Sequence, residues 1–269
     1  MSNGSNNFSE EKMTIIIENN DNIRIITLNR PEKLNAITLE MATEMNLAIQ
    51  DAANDSSVKC VVITGKGRSF SSGGDVDEMG EYLPRAGDLF YKLTEQIHAT
   101  FSTILRMPKP VVNSLNGIIA GGALGIALAG DYRIANKSTR LLSAHFKRGF
   151  VPAGGATYIL PKLIGLGKTQ TLFFGGKTLN SDEMLEWGLV HEVVDDQYLS
   201  ERTLEMAKEL ASGPTNAIAE TKMLLVESDT LSLEEELERE REKNRDSGNS
   251  GDAVEGIKAF IEKREPKFE

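Results

Sequence analysis

Residues 116–131 read NGIIAGGALGIALAGD, an apolar run holding five glycines and no acid, base or nucleophile before Asp131. Each glycine weakens a helix by roughly 1 kcal/mol relative to alanine, so the run needs a physical reason. Three reasons are available: close packing of backbone, tight turns, or a backbone N–H aimed at a ligand. The run follows an apolar strand signal, KPVVNSL (109–115). A parallel arrangement occurs earlier, where VKCVVITG (58–65) leads into FSSGGDVDEM (70–79). Both place glycine N–H groups at a strand mouth where a helix begins, the second near Gly121 with its positive end. Two such donors converging on one carbonyl oxygen form an oxyanion hole, which stabilises an enolate or tetrahedral oxyanion by several kcal/mol. Tight packing remains the alternative.

Outward from these turns, MTIIIENNDNIRIITLNR (13–30) gives two β-branched runs around NNDN, a hairpin signal. TLEMATEMNLAIQDAAND (38–55) reads as a helix with Thr38 as N-cap. A second cycle runs through the helix GDLFYKLTEQIHATFSTILRM (87–107), and a third through DYRIANKSTRLLSAHF (131–146), with helices following PAGGATYILPKLIG (152–165). After about residue 190 the chain turns to amphipathic or charged helices with no strands between them. Repeated strand–strand–helix units followed by a helical tail predict an α/β fold of stacked β-layers.

The 269 residues are 40% hydrophobic, enough for a large core, and the net charge is −10. That charge argues against nucleic acid or an anionic membrane as partner. The single cysteine, Cys60, excludes an intramolecular disulfide and reads as a buried strand residue. Residues 1–12 read as a disordered leader without a signal peptide, and the glycine run is too short to span a membrane, so a cytoplasmic protein is expected. GLGKT (165–169) has Lys162 where a phosphate-binding loop needs its leading glycine. The glycine run lacks G-x-G-x-x-G, no G-x-S-x-G elbow is present, and three histidines without H-E-x-x-H argue against a metal site.

Six segments together resemble the crotonase (enoyl-CoA hydratase/isomerase) superfamily. They are NRPEKLNAITLEM, VVITGKGRSFSSGGDVDEM, KPVVNSLNGIIAGGALGIALAGDYRIA, GFVPAGGATYILPKLIG, LEWGLVHEVV and EGIKAFIEKREPKF, in the family's order over residues 12–268. The resemblance implies a crotonase-like spiral of ββα units over residues 13–195. It also implies a C-terminal helical trimerisation region over residues 196–269, and a homotrimer or homohexamer. It implies an acyl-CoA substrate of fatty-acid metabolism, with coenzyme A as part of the thioester and no permanently bound cofactor. The oxyanion donors would be the N–H groups of Gly74 and Gly122. Lys33, Leu34, Ala36, Ser72 and Asp75 would line the CoA site. Phe260 and Lys263 match C-terminal helix positions that in the family often reach a CoA held mainly by a neighbouring subunit.

Three acid positions of the family are not acidic here. The two hydratase glutamates align with Gly125 and His145, and the isomerase carboxylate with Ala153. His145 is the titratable residue among them and can act as base or acid at neutral pH, unless it is simply packed. His98 and His191 read as structural. Glu78, Glu81 and Tyr82, in a segment that covers the acyl pocket in many relatives, are further candidates. Three functions remain open: enolate chemistry on an acyl-CoA, with isomerisation favoured because it needs one proton shuttle; thioester or C–C hydrolysis or decarboxylation on the same fold; or a catalytically weak CoA-thioester binding protein.

Overall fold

A computed structural model describes residues 13–268; the expected leader, 1–12, lies outside the described residues. The hairpin forms as read, with β1 (Ile15–Asn20) antiparallel to β2 (Ile23–Leu28) and Ile15 opposite Leu28. Thr38 caps α1 (Leu39–Asn54), its Oγ1 accepting from Met41 N at 3.2 Å.

Three successive units then each give one strand to each of two sheets. The pairs are β3 (Cys60–Gly65) with β4 (Ser69–Ser71), β5 (Val111–Leu115) with β6 (Ile118–Ala120), and β7 (Tyr132–Asn136) with β8 (Arg140–Leu142). Between and after them lie α2 (Val76–Glu81), α3 (Ala86–Arg106), α4 (Leu124–Ala129) and α5 (Ala156–Phe173). β9 (Thr178–Asn180), α6 (Ser181–Glu186) and β10 (Glu192–Val194) close the spiral. The larger sheet has the order β1-β2-β3-β5-β7-β10 and the smaller β4-β6-β8-β9. All neighbours are parallel except β1–β2 and β8–β9. The spiral of ββα units expected from the sequence is therefore present.

The unbroken apolar run of β3 has a direct cause: both faces of the larger sheet are covered. Val61 and Ile63 point into the main core with α1 and α3, while Cys60 and Val62 pack on the other side. There they meet Leu199, Met206 and Ala207 of α7 (Leu199–Ser212). The first helix of the 196–269 segment thus closes the sheet. Three more follow, α8 (Thr215–Glu227), α9 (Leu233–Gly248) and α10 (Gly251–Glu262), leaving Leu233, Ile257, Phe260 and Ile261 exposed.

One helix begins earlier than the sequence suggests. α5 starts inside PAGGATYILPKLIG, at Ala156, despite Pro161 in its interior. Burial of Ala156, Ile159, Leu160 and Ile164 at helical spacing outweighs the lost backbone bond. A non-helical Gly165 (φ 75°, ψ 161°) then kinks it. No described helix is long and apolar enough to cross a membrane.

Candidate active site

β4 and β6 run side by side, with Ser71 paired to Ile119, so both strands end at the same level. Each then turns on a glycine pair. Gly73 has φ +91°, and a Cβ there would lie 2.8 Å from Ala120 O and 3.2 Å from Gly122 N. Only glycine allows this approach, which brings the two turns together. The first turn is clamped from outside: Ile37 N donates to Gly73 O (2.8 Å) and Asp75 N to Ile37 O (3.0 Å). The Gly74 N–H between them has no acceptor among the described residues. Gly122 lies in the first turn of a short 3-10 segment (121–123), where N–H groups lack intrahelical partners. A Cβ on Gly122 would meet nothing within 4 Å. Both glycines border a cavity of about 1030 Å³, whose other walls come from α2, α3 and residues 144–157.

Gly125, by contrast, faces no open space. A Cβ there would lie 1.6 Å from Gly154 O. Gly154 is pressed in turn against Gly122, since its own Cβ would sit 2.4 Å from Gly122 O. The carbonyl of Gly154 therefore fills the place that a side chain at 125 would need.

His145 lines the cavity at 7% exposure. Its Nδ1 lies 3.2 Å from Ser143 Oγ, and its buried Nε2 has no partner. Burial, and next the Arg148 cation, hold the imidazole below its ordinary pKa, so it is neutral at pH 7. Ala153 also lines the cavity.

Carboxylates at the rim are engaged elsewhere. Asp75, 4% exposed, caps α2 through Asp77 N and Glu78 N and pairs with Arg30 at 2.8 Å. Burial works to raise its pKa, but the Arg30 guanidinium and the backbone donors outweigh it and hold the carboxyl below its usual range. Asp77 pairs with Lys33 at 2.8 Å, both in solvent.

The sequence-derived residues are only partly brought together. Gly74, Gly122, His145, Lys33, Ala36, Ser72 and Asp75 border one cavity. Leu34 lies beside it, its carbonyl accepting from Ser72 N at 3.0 Å. Phe260, 86% exposed, and Lys263, which caps α10 in a left-handed conformation, do not border the cavity of their own chain. Glu78, Glu81 and Tyr82 do not line it either. The Glu78 carboxylate turns instead to the N-terminus of α1, accepting from Leu39 N at 3.1 Å.

His98 joins the residues that border the cavity, a place the sequence did not indicate. Read as structural, it lines the cavity, its Nε2 accepting from Gly154 N at 3.2 Å. Phe90 and Phe150, ring centroids 4.9 Å apart, add an aromatic wall. The spacing of Tyr91, Thr94 and His98 beside the apolar 90/93/97/101 stripe was the available signal. Among the described residues no group of three His, Cys, Asp or Glu could hold a metal ion.

Known proteins share this architecture. Over 247 residues the chain is 32% identical to 1,2-epoxyphenylacetyl-CoA isomerase of Escherichia coli (strain K12), covering 91% of this chain and 94% of that one. It is 33% identical to trans-2-decenoyl-[acyl-carrier-protein] isomerase of Streptococcus mutans, covering 94% and 97%. The crystal structure of enoyl-CoA hydratase from Bacillus anthracis superposes with a TM-score of 0.90 at 28% identity, covering 95% and 99%. The pattern of the enoyl-CoA hydratase/isomerase family matches residues 18–269, and the chain belongs to that family of enzymes.

Proposed function

We propose that the protein shifts a carbon–carbon double bond in an acyl-CoA thioester, through an enolate held by the N–H groups of Gly74 and Gly122. The thioester carbonyl oxygen sits between the two donors, and His145 Nε2 takes a proton from the carbon chain. The electrons move onto the oxygen as a dienolate, and the imidazolium returns the proton at the other end of the conjugated system. Charge develops on the oxygen in the transition state, where fixed backbone donors contribute several kcal/mol. The single observation that carries this reading is His145. It is a neutral imidazole with a free, buried Nε2 in the cavity wall where the two glycine turns open. With Nδ1–H donating to the Ser143 Oγ beside it, Nε2 is left as the free base, and the imidazolium it forms then serves as acid.

The alternative of two-carboxylate hydration fits poorly. Asp75 and Asp77 are paired, and Gly125 has no room for a carboxylate side chain. The CoA moiety lies along Lys33, Leu34, Ala36, Ser72 and Asp75, with Lys33 exchanging Asp77 for a phosphate. Phe260 and Lys263 reach the CoA of a neighbouring copy in a homotrimer or homohexamer, and the exposed apolar side chains of α9 and α10 support that association. The enzyme works in the cytoplasm.

The test is a 2-enoyl-CoA in deuterated water, followed by absorbance of the conjugated thioester and by mass. Deuterium uptake at the α or γ carbon is expected. In His145→Gln it should drop at least a hundredfold, with butyryl-CoA affinity retained. Uptake unaffected by His145→Gln would remove His145 from the mechanism. Release of free CoA without uptake would point to hydrolysis.

A further inference from the structure

α3 walls the cavity with two adjoining stripes of different chemistry. Phe90, Leu93, Ile97 and Phe101 form an apolar one, while Tyr91, Thr94 and His98 form a polar one, and all seven border the cavity. The polar stripe is not core: Tyr91 is 80% exposed and His98 is also exposed. Its hydrogen-bonding state can be read from its partners. An N–H can only donate, so the Gly154 N–H fixes His98 Nε2 as acceptor and puts the ring proton on Nδ1. The bond from Gly154 N is the one hydrogen bond of the His98 side chain among the described residues, so Nδ1 has no partner there. Thr94 Oγ1 donates to Phe90 O at 2.7 Å, which leaves its lone pairs free to accept. The Tyr91 hydroxyl has no partner among the described residues.

From this we infer that the acyl group bound here carries an oxygen function beyond the thioester, and that His98 Nδ1–H recognises it as a specificity-determining donor. The inference rests on the acyl-CoA reading. An all-hydrocarbon chain laid along this wall would strip water from the Nδ1–H and return no acceptor, a net loss. A hydroxyl, carbonyl or carboxylate oxygen restores the bond. The Thr94 oxygen then accepts from a hydroxyl, while the 90/93/97/101 stripe packs the carbon part. The substrate class is an oxygenated acyl thioester rather than a plain fatty acyl one.

Calorimetric titration tests this with butyryl-CoA, 3-hydroxybutyryl-CoA and 4-hydroxybutyryl-CoA. The readout is the affinity ratio of each hydroxylated ligand to butyryl-CoA, which cancels general damage to the site. In the wild type at least one ratio should favour the hydroxylated ligand by about five- to tenfold. His98→Phe should bring that ratio to about one. His98→Gln, whose amide both accepts from Gly154 and donates, should keep it. Ratios near one in the wild type, or a preference that survives His98→Phe, would overturn the proposal. A wild type that binds none of the three would remove the acyl-CoA reading itself, and this inference with it.

Discussion

Two alanine substitutions three residues apart should have opposite consequences. At Gly125 a Cβ would lie 1.6 Å from Gly154 O, and ordinary contact begins at 3.4 Å, so the Gly154 carbonyl must retreat by about 1.8 Å. It has little room, because Gly154 is pressed against Gly122 O and Gly155 against the Phe101 ring. Forcing atoms into such a site costs about 1–3 kcal/mol, while the better helix former returns at most about 1 kcal/mol. Gly125→Ala should therefore lower stability by up to about 3 kcal/mol, a Tm drop of several degrees for a chain of this size. At Gly122 a Cβ meets nothing within 4 Å and the backbone φ is not left-handed. Gly122→Ala should leave Tm unchanged or slightly raised. On the proposed mechanism its methyl would compete with the thioester oxygen for that open space, and turnover should fall at least tenfold. Calorimetric Tm, together with the deuterium-uptake assay, reads both. A Gly125→Ala protein as stable and active as wild type would refute the close approach. A fully active Gly122→Ala protein would refute the close placement of the thioester oxygen against this residue.

Other outcomes follow from charge and burial. The acid limb of the pH–rate profile should lie below the ordinary histidine value near 6.5, because burial and then Arg148 disfavour the His145 imidazolium. Arg148→Met should move that limb upward, and an unmoved limb would mean that another group titrates. Asp75→Ala removes the α2 cap and strands Arg30, costing about 2–4 kcal/mol in denaturant titration. Since the folded Asp75 pKa is depressed from 3.8, its contribution is present above that pH and is lost as the pH falls below it. An Asp75→Ala protein with wild-type stability at pH 7 would count against it. Cys60, fully buried, has its thiol pushed up to about 12, by burial first and then by Asp131. Iodoacetamide at pH 8 should leave it unmodified in the native protein, as read by intact mass.

Much of the fold was legible because it is written in local physics. The β-branched hairpin, the Thr38 cap and the glycine turns after apolar strands each depend on a few adjacent residues, and each formed as read. What escaped depended on distant partners. The three-residue β9 is a strand only because β8 offers it an antiparallel edge. Glu78 looks like a cavity residue until the fold brings Leu39 N–H within reach, 39 residues away in sequence. His98 sits in an amphipathic helix where core packing is the ordinary expectation. Its place in the cavity is set by a glycine 56 residues later. That Gly125 faces a carbonyl rather than a hollow was not readable from the run of glycines.

Gly154 carries a consequence for mutational work on this enzyme. Its N–H donates to the His98 ring, its carbonyl occupies the space beside Gly125, and Gly122 O leaves no room for a Cβ on it. The His98 ring, the Gly122 turn and the backbone of α4 at Gly125 thus meet at one residue, and a shift at any of them is passed to the others. Substitutions at 98, 122 and 125 should combine non-additively even though those residues share no direct bond. A single replacement at 154 would report all three contacts at once and belong to none. Kinetic changes seen at any one of these positions therefore describe the linkage first and the residue second.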